Sequence, residues 1–96
     1  MKPEKALAEM KITLPAAPAA IANYLPAVKC GNVVYVSGQL PLVNGELMYQ
    51  GRIGDGVSQG QAGEAVVQCT LNALSALRGL AGSLDCVTRV VNLCGF

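Results

Sequence analysis

One long helix, read over 59–80, does most to constrain what this chain can fold into. Ser58 followed by Gln61 fits a capping box at its start. Ala62, Ala65, Val66, Cys69, Ala73, Ala76, Leu77 and Leu80 then recur at helical spacing and predict a core stripe. Val67, Leu71 and Leu74 widen that apolar surface, and the small residues within it permit close packing on a sheet. Gly79 or Gly82 supplies the stop.

The sheet is read from short apolar runs. Ala27 to Cys30 and Val33 to Leu40 predict two strands joined by Gly31-Asn32, a two-residue hairpin link. The run Val33 to Val36 is bounded by turn residues and predicts a strand buried on both faces. It ends in Ser37-Gly38-Gln39 and is stopped by Pro41. A hydroxyl, a glycine backbone and an amide at a strand end can line a small polar pocket.

Asn44-Gly45 predicts a second turn, between Leu42-Val43 and Leu47-Met48. Val87, Val90, Val91 and Leu93 predict a further buried strand over about 87–94, after a turn at Asp85 to Thr88. A short N-terminal helix is read over 3–11, with Pro3 in its first turn. Leu14 to Pro26 reads as an extended connector that holds Tyr24. Gly51 to Gly56 is a glycine-rich loop that lacks both the dinucleotide fingerprint and the Lys-Ser/Thr of a phosphate-binding loop.

This order predicts one α/β (α+β) domain, a mixed β-sheet with helices packed on one face. There are no internal repeats. A sheet of so few strands under one long helix leaves little room for a stable core. The domain is therefore expected to be incomplete at its C-terminus.

Composition bears on partners. The chain is 52% hydrophobic and only 14% charged, against about 25% charged in ordinary domains. That excess predicts an apolar surface shared between subunits. The formal net charge is +1 and the basic residues are scattered, so neither nucleic acid nor an anionic membrane is an expected partner. No apolar stretch approaches the ~20 residues of a membrane span. Glu4 and Glu9 interrupt any leader-like apolar region, and a cytoplasmic location is expected. Cys30, Cys69, Cys86 and Cys94 lack metal-ligand spacing and are expected to be buried free thiols, with no metal and no cofactor. The chain has no histidine, which removes Ser-His and Cys-His catalysis from within it.

The stretch 24–41, with Tyr24, the Gly31-Asn32 turn and Ser37-Gly38-Gln39-Leu40-Pro41, resembles the reactive-intermediate deaminase (RidA/YjgF-like) family. Gln61 to Leu80, with Asn72 and Leu77, looks like that family's long helix. Leu84-Asp85-Cys86-Val87-Thr88-Arg89-Val90-Val91 resembles the stretch leading into its third strand. The insert around Asn44-Gly45, with Gln50 to Gly54, looks like a less studied branch. The resemblance implies a chorismate-mutase-like subunit, a homotrimer, and a ligand cleft between subunits.

It also implies hydrolysis of 2-imino or enamine acids, with a small imino or keto acid as the ligand. Tyr24, Ser37 and Gly38 are the matching substrate-binding positions. The family's arginine and glutamate belong to sequence that would follow Phe96, and Arg52 and Arg89 do not match their motif. Catalytic residues therefore stay unassigned, and impaired activity is expected of these 96 residues. Two alternatives stand beside it: a non-catalytic ligand-binding or protein-protecting module, and the ribonuclease role with which the family is often labelled. For Ser37 and Tyr24, a strand-end hydroxyl bonded to backbone and a core aromatic remain open readings.

Overall fold

The computed structural model of the chain describes residues 2–15, 27–44 and 46–95. Helix α1 spans Pro3–Glu9, with proline where its missing N–H costs nothing. The predicted helix to residue 11 stops short because Lys11 turns left-handed, at φ 58°. Strands β1 (Ala27–Cys30) and β2 (Val33–Val36) form an antiparallel hairpin with Cys30 opposite Val33. Gly31 takes φ 60° at the first central position of the turn, where a side chain would be strained.

Strands β3 (Leu42–Val43) and β4 (Glu46–Leu47) pair antiparallel, with Asn44 left-handed between them. Strands β5 (Arg52–Ile53) and β6 (Gly56–Val57) make a small parallel contact inside the glycine-rich loop. Gly51 is required there: a Cβ would meet the Asp55 carbonyl oxygen and a Val57 methyl, each at 3.3 Å. Helix α2 spans Gln59–Ala81 and carries both bonds of its capping box. Gly82, at φ 86°, ends it by donating its N–H to the Arg78 carbonyl at 2.7 Å. A 3₁₀ turn, Leu84–Cys86, follows.

The fold is mixed α/β, with α2 packed against β1, β2 and β3. Among the described residues the expected sheet consists of three two-stranded pieces. Strand β2 ends at Val36, opposite Ala27, so the predicted extension to Leu40 leaves the ladder where its partner begins. Nor is β2 buried on both faces. Cross-strand neighbours share a face, and Val28, Cys30, Val33 and Tyr35 form an exposed one, with Tyr35 63% accessible. Ala27, Val34 and Val36 are half-buried on the face toward α2.

The strand expected over 87–94 is absent. Val90, Val91 and Leu93 are strongly exposed, because no described strand offers this segment a ladder. The thiols are free, but Cys30, Cys86 and Cys94 are exposed and only Cys69 is partly covered. Their apolar character is real, yet no described layer lies over the three exposed ones. Val66 and Leu80, expected in the core stripe, also face outward, as does Val67, expected to widen it.

The core sits at the other end of the molecule. Leu7, Leu14 and Leu84 are buried together, with Ile12, Leu71, Leu74 and Leu77 against them. Glu4 holds α1 onto this cluster. Its carboxylate accepts from Arg78 Nη2 at 2.6 Å, from the Leu84 N–H at 2.8 Å and from Ser83 Oγ at 3.4 Å. In return the Glu4 N–H donates to Asp85 Oδ1 at 3.0 Å. The Leu84 N–H first, and the Arg78 guanidinium next, hold the Glu4 carboxyl below its ordinary value of 4.5.

That lowered value fixes the sign of a pH effect. The ionised form is preferred in the fold, so its contribution is present above about pH 4.5 and fades as pH falls through the lowered pKa. Wild type should lose melting temperature on acidification, whereas Glu4→Gln should start lower at neutral pH and decline less steeply. Thermal melts followed by circular dichroism read the difference. Parallel pH curves would show that Glu4 does not tie α1 down.

Candidate functional site

Between β2 and β3 the chain passes through residues 37–41, whose carbonyl groups need donors. Pro41 cannot supply one. Instead Leu42 donates its N–H back to the Leu40 oxygen at 2.8 Å, closing a tight turn around Pro41. The Met48 N–H donates to the Pro41 oxygen at 2.8 Å. Gln39 donates its side-chain amide to the Ser37 oxygen at 2.9 Å.

Helix α2 supplies the rest. Asn72 Nδ2 donates to the Leu40 and Leu42 oxygens, both at 3.1 Å. Gln68 Nε2 lies 3.3 Å from the Leu42 oxygen and 3.0 Å from Asn72 Oδ1, so it also orients Asn72. One turn spacing, i to i+4, places both amides on the same side of the helix. Cys69 Sγ donates to the Gln39 oxygen at 3.5 Å. Burial pushes the Cys69 thiol up, which keeps the proton that this contact uses. Tyr49 donates its hydroxyl to Glu64 at 2.5 Å and ties the following loop to the same helix. That bond raises the Tyr49 phenol above its ordinary 10.0.

The outcome is a backbone corner, Ser37-Gly38-Gln39, held from behind by α2. Ser37 is half-buried and Gly38 is exposed. Among the described residues a Cβ on Gly38 would meet nothing within 4 Å, and its φ lies outside the left-handed region. Tyr24 lies outside the described residues, so the structure brings together Ser37 and Gly38 of the three expected positions. Arg52 and Arg89 are exposed, and Arg78 is engaged by Glu4. Among the described residues no three Cys, Asp or Glu side chains gather as a metal site would require.

Gln68 was missed by sequence reasoning, and Asn72 was marked only through resemblance. A signal existed. Asparagine is a poor helix-interior residue because its amide competes for backbone groups. An Asn four residues after a Gln, amid an apolar stretch, points to backbone carbonyls beside the helix.

The stability of the corner is separable from its use. Gly38→Ala should leave the melting temperature within the ~0.5 kcal/mol scatter of surface substitutions, since the new methyl has space in this subunit. A drop of many degrees would show that the corner is packed more tightly than the structure has it.

Residues 4–96 match a family profile described as "YjgF/chorismate mutase-like, putative endoribonuclease". The chain is 39% identical over 89 residues to the Trypanosoma cruzi protein TCP17, covering 91% of this chain and 54% of that protein. It is 36% identical over 74 residues to HMF1 of Saccharomyces cerevisiae, covering 77% of this chain and 50% of HMF1. A crystal structure from Shewanella oneidensis, titled a "putative endoribonuclease", superposes with a TM-score of 0.78 at 34% identity, over 88% of this chain and 56% of that one. The chain thus spans about half the length of the curated relatives it matches.

Proposed function

This chain belongs to the YjgF/chorismate mutase-like, or RidA-like, family, and on that premise we propose that its Ser37-Gly38-Gln39 corner binds a small 2-imino or 2-keto acid. The observation that carries the reading is the corner itself. Helix α2 bonds to its Gln39 carbonyl and to that of Leu40 just after it, and among the described residues a Cβ on Gly38 would meet nothing within 4 Å. Tyr24, Ser37 and Gly38 are the proposed ligand-binding residues.

The proposed reaction is hydrolytic. Water adds to the C=N carbon of the imino acid, the C–N bond breaks, and a keto acid and ammonia leave. The ligand's carboxylate needs a positioned cation, best a bidentate guanidinium. Proton transfer to the departing nitrogen needs a group active near neutral pH. The chain has no histidine for that task. Losing one positioned electrostatic partner costs on the order of 10²–10³ in rate, so these 96 residues are proposed to bind the ligand and to hydrolyse it poorly.

The cleft is proposed to lie between subunits of a homotrimer. The exposed apolar faces of the β1–β2 hairpin and of α2 support a shared surface. A cytoplasmic location goes with this reading, since four free thiols suit a reducing compartment. A second reading, RNA cleavage, draws on the endoribonuclease description of the profile and of the Shewanella structure. A net charge of +1 and 4% aromatic residues give it little to hold a phosphate chain or stack bases.

The decay of 2-iminobutyrate, generated in situ by a threonine dehydratase, tests the chemistry. The chain should accelerate decay little above background. Acceleration equal to that of a full-length relative would place the catalytic groups within these residues. No effect, combined with cutting of a labelled RNA, would favour the second reading.

Assembly is tested by light scattering. The expected result is three times the 9.9 kDa chain mass. A monodisperse monomer at micromolar concentration would remove the shared cleft.

A further inference from the structure

We infer that Gln39 is a positioning residue of the ligand-binding corner: its side-chain amide, bonded to the Ser37 carbonyl, holds the plane of the Ser37–Gly38 peptide. The inference rests on the binding role proposed for Ser37 and Gly38. Gln39 Nε2 donates to the Ser37 oxygen at 2.9 Å. A carbonyl oxygen only accepts, so the NH₂ end of the Gln39 amide is the end that must face it. The Ser37 oxygen and the Gly38 N–H belong to one planar group, and the described residues contain no cis peptide. In a trans peptide the C=O and the N–H point in opposite directions. A donor held against the Ser37 oxygen therefore directs the Gly38 N–H away from the Gln39 side chain.

The Gln39 backbone is itself anchored to α2. Cys69 Sγ donates to the Gln39 oxygen at 3.5 Å, and Asn72 Nδ2 donates to the oxygen of the next residue, Leu40, at 3.1 Å. From that base the Gln39 side chain reaches back two residues, across Gly38, to Ser37. Gln39 is half-buried, which limits competition from water for its amide. Ser37 and Gly38 have further partners, so the share of Gln39 is what its removal changes. Gln39 acts on the ligand through the backbone of its two neighbours.

Gln39→Glu isolates this role. The substitution keeps the shape and length of the side chain but replaces the NH₂ with a second oxygen. At neutral pH the carboxylate repels the Ser37 oxygen, and the peptide should turn. Protonation restores one O–H donor. It should begin above the ordinary glutamate value of about 4.3, because only the neutral form bonds to a carbonyl. Among the described residues Cys69 is the titratable side chain bonded to residue 39, and burial keeps its proton in place over this range. Gln39→Met is the companion variant. It has similar length but neither donor nor charge, so it should show no acid recovery.

The experiment measures amide ¹H–¹⁵N spectra and residual dipolar couplings of wild type and both variants, from neutral to mildly acidic pH. The coupling at Gly38 reports the direction of its N–H. Without a probe, both variants should change that coupling at neutral pH, while their helical circular dichroism stays that of wild type. On acidification Gln39→Glu should return to the wild-type coupling and Gln39→Met should not. With 2-ketobutyrate as probe, both should bind about three- to tenfold more weakly at neutral pH, the factor that one net hydrogen bond carries. Gln39→Glu should recover this affinity in acid. A wild-type Gly38 coupling in Gln39→Met, where the donor is simply missing, would overturn the inference. So would a displaced coupling in Gln39→Glu with no acid recovery. If wild type shows no response to 2-ketobutyrate, the proposed binding role fails, and the probe-free couplings still decide whether Gln39 holds the peptide.

Discussion

The side chains of α2 serve as hydrogen-bond donors to backbone carbonyls of segments distant in sequence. Ser75, buried to 4% exposure, donates to the Pro15 oxygen at 2.6 Å. Asn72, Gln68 and Cys69 do the same for the segment between Gln39 and Leu42. The Ser75 bond is part-buried, and there a carbonyl left without a donor costs about 1–3 kcal/mol, a sizeable fraction of a small domain's stability. Among the described residues the buried cluster holds Leu7, Leu14 and Leu84, with Ile12, Leu71, Leu74 and Leu77 against it. The polar side of the helix therefore shapes the fold as much as its apolar side does.

The same helix joins the two ends of the molecule. Its C-terminal half presents Leu74, Leu77 and Arg78 to α1 and the 3₁₀ turn, where Glu4 closes the contact. Its middle presents Gln68, Cys69 and Asn72 to the corner. Between these regions the β1–β2 hairpin lies against the helix with one face and exposes Val28, Cys30, Val33 and Tyr35 on the other. These bare apolar faces are the observation that supports the proposed cleft between subunits.

Local chemistry was the legible part of this sequence. The Ser58–Gln61 capping box, the Gly82 stop, the Gly31-Asn32 hairpin and the Asn44 turn follow from backbone rules that act over a few residues, and each is present. Burial was less legible. Val33–Val36 and the 87–94 stretch have the composition of buried strands, but burial depends on a layer that a residue's neighbours in sequence do not determine. Ser37 and Gly38 stood out because they interrupt an apolar run. The groups that bond to the chain just after them, at Leu40 and Leu42, were harder to find, because Asn72 and Gln68 lie some thirty residues away and act on backbone oxygens, which carry no sequence signature.

The central claim is that side-chain amides of α2 hold the backbone just after the corner, at Leu40 and Leu42. Scalar couplings transmitted across hydrogen bonds test it most directly, in a chain labelled with ¹³C and ¹⁵N. The account predicts correlations from Asn72 Nδ2 to the carbonyl carbons of Leu40 and Leu42, with slowed hydrogen exchange of that amide. An Asn72 amide that exchanges as freely as in an unfolded peptide, with no coupling to either carbonyl, would contradict it.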